Sequence, residues 1–500
     1  MNLVESERKL KTNKPIVLAA IVISTFMSAI EGTIVATAMP GIVSELGGFS
    51  LYSWVFSAYL IMQAVTILIY GKLADLFGRK PIFVFGVTIF LIGSLLCGLA
   101  TSMVVLIMFR LIQGFGAGAV TPIATTIVGD MYTLEERGKV QGYLSSVWGI
   151  SAILGPLLGG VLVQYVSWSW IFWINIPIGL FAIIGIVFFL HEEREKKQQK
   201  IDYLGSILLL IAILAFMVVL IQGGSVWEWF SIEIVSLSAI ALFFFLFFLY
   251  QEHLFEEPML PLRLWRQRAM VSPNLATLTS GMIVMGVSSF LPTFVQGVMG
   301  QTPIIAGFTL TTMSIGWPIA STIAGRMIVK VGFRLLAIVG GVSLLVGAIL
   351  FVFLTPALGP IWAGAASFFI GIGMGLTSTT FIVAIQSHVN WEMRGIATAN
   401  NMFMRMLGNA VGAALLGGIL NSKMSHYFYK QGKSVDKLLS NDVANVLLND
   451  AEKSTLSEET LFLLQDGLAY GLHYVYICLF VIACVTFLFI IMLPKSEKVI

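Results

Sequence analysis

Apolar residues in this chain arrive in blocks of about twenty, and that block length leaves few folds open. Coiled as an α-helix at about 1.5 Å per residue, such a block crosses the roughly 30 Å hydrocarbon core of a bilayer. The blocks fall at roughly 16–39, 51–70, 81–100, 103–127, 141–165, 171–190, 204–222, 232–250, 270–296, 304–327, 335–354, 361–385, 396–420 and 467–492. Fourteen spanning helices are therefore expected. The alternation of polar and apolar residues that marks a membrane β-barrel is absent. Only 11% of the 500 residues are charged, against about 25% in a soluble domain. One buried core in a chain this long does not account for that deficit.

Lysine and arginine set the expected direction of each helix. They concentrate in the N-terminal tail (Arg8, Lys9, Lys11, Lys14), in alternate connections and in the C-terminal tail (Lys495, Lys498). The alternate connections carry Lys72, Arg79 and Lys80, then Arg137 and Lys139, then Arg194 to Lys200, then Arg263 to Arg268, Arg326 to Arg334, and Arg394. The short connections on the other side carry none. Both termini are thus expected in the cytoplasm of a multi-pass protein of the cell membrane. The first block is too long for a signal-peptide core and reads as the first span. A net charge of +3 implies no nucleic-acid partner. Cys97, Cys478 and Cys484 sit in apolar blocks without metal or redox spacing, so they read as small core residues.

The chain repeats itself. Gly114-Phe-Gly-Ala-Gly118 recurs as Gly371-Ile-Gly-Met-Gly375, and the same offset of 257 relates Arg137-Gly138 to Arg394-Gly395 and Gly155 to Gly412. Gly71 and Gly78 recur as Gly325 and Gly332. The repeat sets helices 1–6 against helices 9–14 and leaves helices 7 and 8 as an insertion. The expected domains are a six-helix half at 1–190, an inserted pair at 191–262, and a second half at 263–500 with an extracellular segment at 421–466. Two six-helix halves sharing a site at mid-membrane is transporter architecture. No HExxH, nucleophile motif or Walker loop is present, so an enzyme or an ATP-driven pump is not expected. No metal or other cofactor is expected.

Glu31 is the one acid deep in a helix, and an ionisable group there is a functional candidate by default. A carboxyl withdrawn from water can take up and release a proton as its surroundings change; a plain structural hydrogen bond is the alternative. Arg110 lies at a similar expected depth: Glu31 is about 14 Å from the outer end of its helix and Arg110 about 12 Å from its own. Arg110 could pair with Glu31 or hold water and backbone carbonyls. The repeat partner of Glu31 falls near Ser288, so the proton site is expected in the first half only. Arg405 is a second cation inside a helix, either functional or an anchor for helix-end carbonyls. In the connection Gly71-Lys-Leu-Ala-Asp75-Leu-Phe-Gly78-Arg79-Lys80, the glycines permit a tight turn. There Asp75 and Arg79 can bond to helix ends and latch one state, unless the segment is a solvated turn. Gly155-Pro156-Leu-Leu-Gly159-Gly160 in helix 5 reads as a kinked element able to pack closely.

These segments resemble the major facilitator superfamily, and within it the fourteen-helix drug:proton antiporters. Gly71 to Lys80 is similar to the signature loop, and Arg110-Leu-Ile-Gln113-Gly114 to the helix 4 motif whose arginine is implicated in proton coupling. Gly155 to Gly160 is similar to the antiporter motif. Glu31-Gly-Thr-Ile-Val-Ala-Thr-Ala-Met-Pro40 is similar to the helix 1 motif, with Glu where Asp is usual. Trp168 to Gly179, with Asn175 and Pro177, also fits that branch. The resemblance implies an all-α membrane fold and a proton-driven multidrug exporter rather than an enzyme. Its cargo would be lipophilic compounds that are monovalent cations, zwitterions or neutral. Doubly charged cargo is disfavoured because helix 10 offers Thr311, Thr312 and Ser314 but no acid. The expected partners are small molecules, protons and the bilayer, and a monomer is expected. A mostly apolar central cavity would draw on Tyr59, Gln63, Trp148, Phe290, Trp317, Asn401 and Arg405, each of which could instead face lipid or a neighbouring helix. An exporter of an endogenous lipid or metabolite is the alternative on the same scaffold; a membrane enzyme or signalling protein is a remote one.

Overall fold

In hydrocarbon a backbone has no water to bond, so a spanning segment satisfies its own N–H and C=O groups as a helix. The computed structural model describes residues 12–46, 52–192, 202–223, 227–255, 264–430 and 457–494, and among these each of the expected blocks coincides with a helix. In chain order they are α1 (Lys14–Leu46), α2 (Tyr52–Phe77), α3 (Arg79–Gly98), α4 (Met103–Met131), α5 (Leu134–Tyr165) and α6 (Trp170–Phe189). There follow α7 (Tyr203–Gln222), α8 (Ile232–Leu254), α9 (Arg268–Val298), α10 (Pro303–Val331) and α11 (Phe333–Val352). The last three are α12 (Gly359–Ser387), α13 (Arg394–Lys430) and α14 (Glu458–Ile491). Eleven helices among the described residues are long and apolar enough to cross a membrane. The exceptions are α5, α7 and α10. Among the described residues an isolated bridge, Gly223 with Trp227, is the only β-pairing.

Several helices outrun their expected blocks: α2 runs on to Phe77, α5 begins at Leu134 and α14 begins at Glu458. The α1 helix continues past residue 40 to Leu46, and α13 continues past 420 to Lys430. The segment 421–466 is therefore not all loop: its flanks are the ends of α13 and α14. Tyr427 bonds Asp466 at 2.8 Å, and Gly467 of α14 sits against Phe428 of α13. Apolar contact and the ladder of helical hydrogen bonds carry both helices onward where hydropathy alone falls. The sequence has amphipathic helical spacing near 435–449 and 457–466; the first stretch lies outside the described residues, and the second begins α14.

The helices pack into two compact units. The first holds residues 1–131, 154–201 and 391–396; the second holds 132–153, 202–390 and 397–500. In the first, the glycines of α4 face two ways. A methyl group at Gly114 or Gly118 would meet α2 at Tyr59 and Thr66, and one at Gly116 would meet the α3 backbone at Gly86 and Phe90. In the second unit, Gly371 and Gly375 of α12 meet α10 at Met313 and Trp317, and Gly373 meets α11 at Gly340 and Leu344. The sequence repeat thus reappears as repeated packing, small residues letting backbones approach where lipid gives no hydrophobic drive. Gly78 and Gly332, one at the head of α3 and the other at the head of α11, both hold positive φ (97° and 79°), a conformation glycine adopts without a Cβ clash.

Also in the second unit, the first part of α5 crosses α10 backbone to backbone at Gly138 and Gly325. The crossing is pinned by Ser321 Oγ donating to Ser145 Oγ at 2.9 Å. Helices α7 and α8 pack on each other, and Asp202 caps α7 by accepting from Gly205 N at 2.8 Å. Phe230, Phe243 and Leu246 are among the large apolar side chains that α8 and its lead-in leave exposed, as suits a helix bathed in lipid.

Candidate functional site

Glu31 lies near the middle of α1 with no exposed surface. An acid in such a place needs donors around it, and four neighbouring helices of the first unit supply or orient them. Arg110 of α4 donates from Nη1 to Glu31 Oε1, forming a buried ion pair. Asn175 of α6 donates from Nδ2 to Glu31 Oε2 at 2.9 Å. Arg110 has further acceptors: its Nη1 reaches Gln113 Oε1 at 2.7 Å, and its Nε reaches the Val55 carbonyl of α2 at 3.0 Å. Gln113 in turn donates to Ser94 Oγ of α3 at 2.8 Å. The guanidinium carbon stands 4.3 Å from the centre of the Tyr59 ring. Of the two arrangements open for Arg110, the structure contains both: pairing with Glu31 and bonding to a backbone carbonyl.

An apolar cluster covers this network on the side toward the C-terminal end of α1. Ile34, Ala38, Met39 and Ile42 of α1 pack with Met103 and Leu106 of α4, Cys97 of α3, and Trp168 and Phe172 ahead of and within α6. The extra turns of α1 beyond residue 40 help build this cover. Trp168 Nε1 donates to Glu45 Oε2 at 2.8 Å and ties its rim to the end of α1.

The signature connection forms a second charged network, also within the first unit. Asp75 accepts from the backbone N–H groups of Gly395 (3.1 Å) and Ile396 (2.8 Å), at the start of α13. It is an N-cap supplied from a distant part of the chain. Arg79 pairs with Asp75 at 2.8 Å and with Asp130 at the end of α4 at 3.1 Å, and stacks 3.9 Å over the Trp391 ring. Arg394 pairs with the other oxygen of Asp130 at 3.2 Å. The start of α3 is held by Glu192, which accepts from Arg79 N (2.9 Å) and Lys80 N (3.1 Å) beside the positive-φ Gly78. Gly71 is buried in α2. A solvated surface turn does not describe this segment.

The remaining candidates are dispersed. In α5, Gly155 meets Thr33 and Ile34 of α1 so closely that a methyl group would collide with the Thr33 hydroxyl; Gly159 is buried and Gly160 faces open space. The helix runs on through position 156, the proline of that motif. Tyr59 and Gln63 belong to the first unit; Trp148, Phe290, Trp317, Asn401 and Arg405 belong to the second. Tyr59 is buried, Gln63 half-buried, and Trp148 is 49% exposed. Phe290 and Trp317 rest against the apolar core of the second unit. Asn401 is buried and donates to Asn274 Oδ1 (3.0 Å) and Thr277 Oγ1 (2.9 Å) of α9.

Sequence reasoning gave no role to Gln113, Asn175, Ser94, Asp130 or Glu192. For Asn175 and Gln113 the signal was available: each is a lone amide in an apolar helix, and Gln113 lies one turn from Arg110. Asp130 and Glu192 sit at helix ends, where acids are common and their distant partners leave no mark on spacing.

Comparison with known proteins places these residues in a wider set. The profile described as Major Facilitator Superfamily matches residues 21–413. Multidrug resistance protein 3 of Bacillus subtilis (strain 168) is 34% identical over 95% of this chain and 94% of its own length. Multidrug transporter protein MdtP of the same organism is 33% identical over 83% of this chain and 76% of its own. Among solved structures, the human organic anion transporter MFSD10 (TETRAN) superposes with a TM-score of 0.61 at 13% identity, covering 95% of this chain and all of that one. The proton:xylose symporter XylE gives a TM-score of 0.61 at 11% identity, covering 97% of this chain and 96% of that one. At such identities the last two speak for the fold.

Proposed function

The chain belongs to the major facilitator superfamily as an efflux transporter, not an enzyme, and from that premise we propose that it is a proton-coupled multidrug antiporter. Its small-molecule cargo and membrane setting follow from its relatives. The names of those relatives, multidrug resistance protein and multidrug transporter, support lipophilic foreign compounds as that cargo. We assign the fourteen helices as spans, the two repeats as rocking halves around an inserted pair, the cell membrane as location, and the cytoplasm to both termini. No cofactor enters the cycle; the proton gradient drives a monomer.

The observation that carries this reading is one carboxyl group, wholly buried, whose two oxygens are held by Arg110 and Asn175. While Glu31 is ionised, its charge offsets that of Arg110. A proton arriving on Glu31 removes that charge and leaves Arg110 a cation without a counter-charge, beside the neutral acceptors Gln113 and the Val55 carbonyl. The pairing energy of the network therefore depends on protonation, and a ligand or proton that changes it shifts the population of the two facing states. The Asp75, Arg79, Asp130 and Arg394 network serves as a latch for one of those states, made in one arrangement and released in the other.

Glu31→Gln tests it directly. In proteoliposomes with an imposed pH gradient, the variant should lose proton-driven export of a fluorescent lipophilic compound by about a hundredfold or more, the lower end of what a positioned proton-transfer group contributes. Gradient-independent exchange should persist. Wild-type driven rates in the variant would remove Glu31 from the coupling step.

A further inference from the structure

Arg405 is the second cation inside the helices, and its surroundings are unlike those of Arg110. Among the described residues no carboxylate pairs with it. Its Nε and Nη2 are closed off from solvent and have no hydrogen-bond partner. The expected alternative, an anchor for helix-end carbonyls, is not what those two atoms do. A guanidinium so placed is costly unless an anion joins it.

Its neighbours carry the same imbalance. Asn401, Arg405 and Asn409 follow at intervals of four, one stripe of α13. That stripe faces α9: Asn401 bonds Asn274 and Thr277, and the backbone of Arg405 and the side chain of Asn409 lie against Gly281. The Oδ1 atoms of Asn401 and Asn409 and the Nδ2 of Asn274 are also buried without partners. Donors and acceptors left open along one helix seam are rare in an interior.

The repeat shows that the fold does not demand this. At the offset of 257, Asn401, Arg405 and Asn409 correspond to Leu144, Trp148 and Ala152 in α5. A helix with the same place in the repeat is built there with neither a cation nor an amide at those three positions. The polar stripe is thus an addition to one half, as Glu31 is an addition to the other.

We infer that Arg405, with Asn401 and Asn409 along α13 and Asn274 and Thr277 on α9, forms a subsite for a carboxylate of the exported compound. The guanidinium takes the anion and the amides complete its hydrogen bonds. This rests on the efflux reading and narrows it: compounds with an amine and a carboxylate are handled better than their neutral-acid counterparts.

The test uses the full-length protein in phosphatidylcholine vesicles, which contain no anionic lipid, under a pH gradient. Three fluorescent probes are compared: an amphipath with one amine and one carboxylate, its methyl ester, and a permanently cationic dye. The wild type should show a KM for the acid about tenfold below that of the ester, as expected for a charge-assisted hydrogen-bonded pair. Arg405→Gln should abolish that preference, with the cationic dye reporting how far transport as a whole has changed, and Arg405→Lys should keep part of the preference. Direct binding of acid and ester to the detergent-solubilised wild type gives the same comparison without a variant. Equal affinities there, or a preference that survives Arg405→Gln, would overturn the subsite. Failure of the wild type to export any probe would count against the efflux reading instead, while the binding comparison still decides the subsite.

Discussion

At the scale of single residues, the decisive feature is that Glu31 and Arg110 are each costly alone and tolerable together. Removing one partner strands the other in a dry interior, which costs about 3–5 kcal/mol. Arg110→Gln should therefore lower thermal stability in detergent more than Glu31→Gln does, because the first leaves a carboxylate with Asn175 as its remaining donor and the second leaves a cation that still has Gln113 and Val55. The double variant should regain stability relative to Arg110→Gln, and strict additivity in a thermal-shift series would refute the coupling. Both residues stand out in the sequence because a charge inside an apolar block has no bland explanation. Asn175 is less visible, since an amide in a helix is as often a structural bond as a functional one. Only the folded chain, which brings positions 31, 110 and 175 together, separates the two.

At the scale of elements, helices were legible and their ends were not. Hydrocarbon thickness dictates where a helix must exist, so apolar block length suffices to find one. It says nothing about where the hydrogen-bond ladder stops outside the apolar layer. For that reason α1 and α13 outrun their blocks. Contacts between elements were legible only where glycine marks them. Gly155 against Thr33 is such a contact, and Gly155→Val should destabilise the protein by about 1–3 kcal/mol through overpacking. Adding Thr33→Ala, which makes room, should restore part of the loss in melting temperature. A Gly155→Val protein as stable as wild type would mean that α1 and α5 do not pack as described. The junction of Asp75 with the head of α13, some 320 residues away, left no trace in spacing because a cap depends on geometry alone.

At the scale of the whole molecule, the repeated glycine patterns told most. They aligned α2, α3 and α4 with α10, α11 and α12, and the packing of α4 and α12 repeats in kind. The charge asymmetry of the connections predicts a topology that labelling can check. A cysteine at Lys139, exposed in the first turns of α5 on the side rich in basic residues, should react with an impermeant maleimide only after cells are opened. One at Ala357, in a connection with none, should react in intact cells. The reverse pattern would invert every span. The apolar cover over Glu31, from Ile34 to Ile42 with Met103, Leu106 and Trp168, has a bearing on the economy of the host. A titrating group open to both faces at once would let hydrogen ions trickle through whether or not cargo was on board. On the proposed antiport, wrapping it in hydrocarbon side chains at one end would keep an idle copy silent, so that a cell could hold many of them in reserve without draining the voltage and acidity difference it lives on.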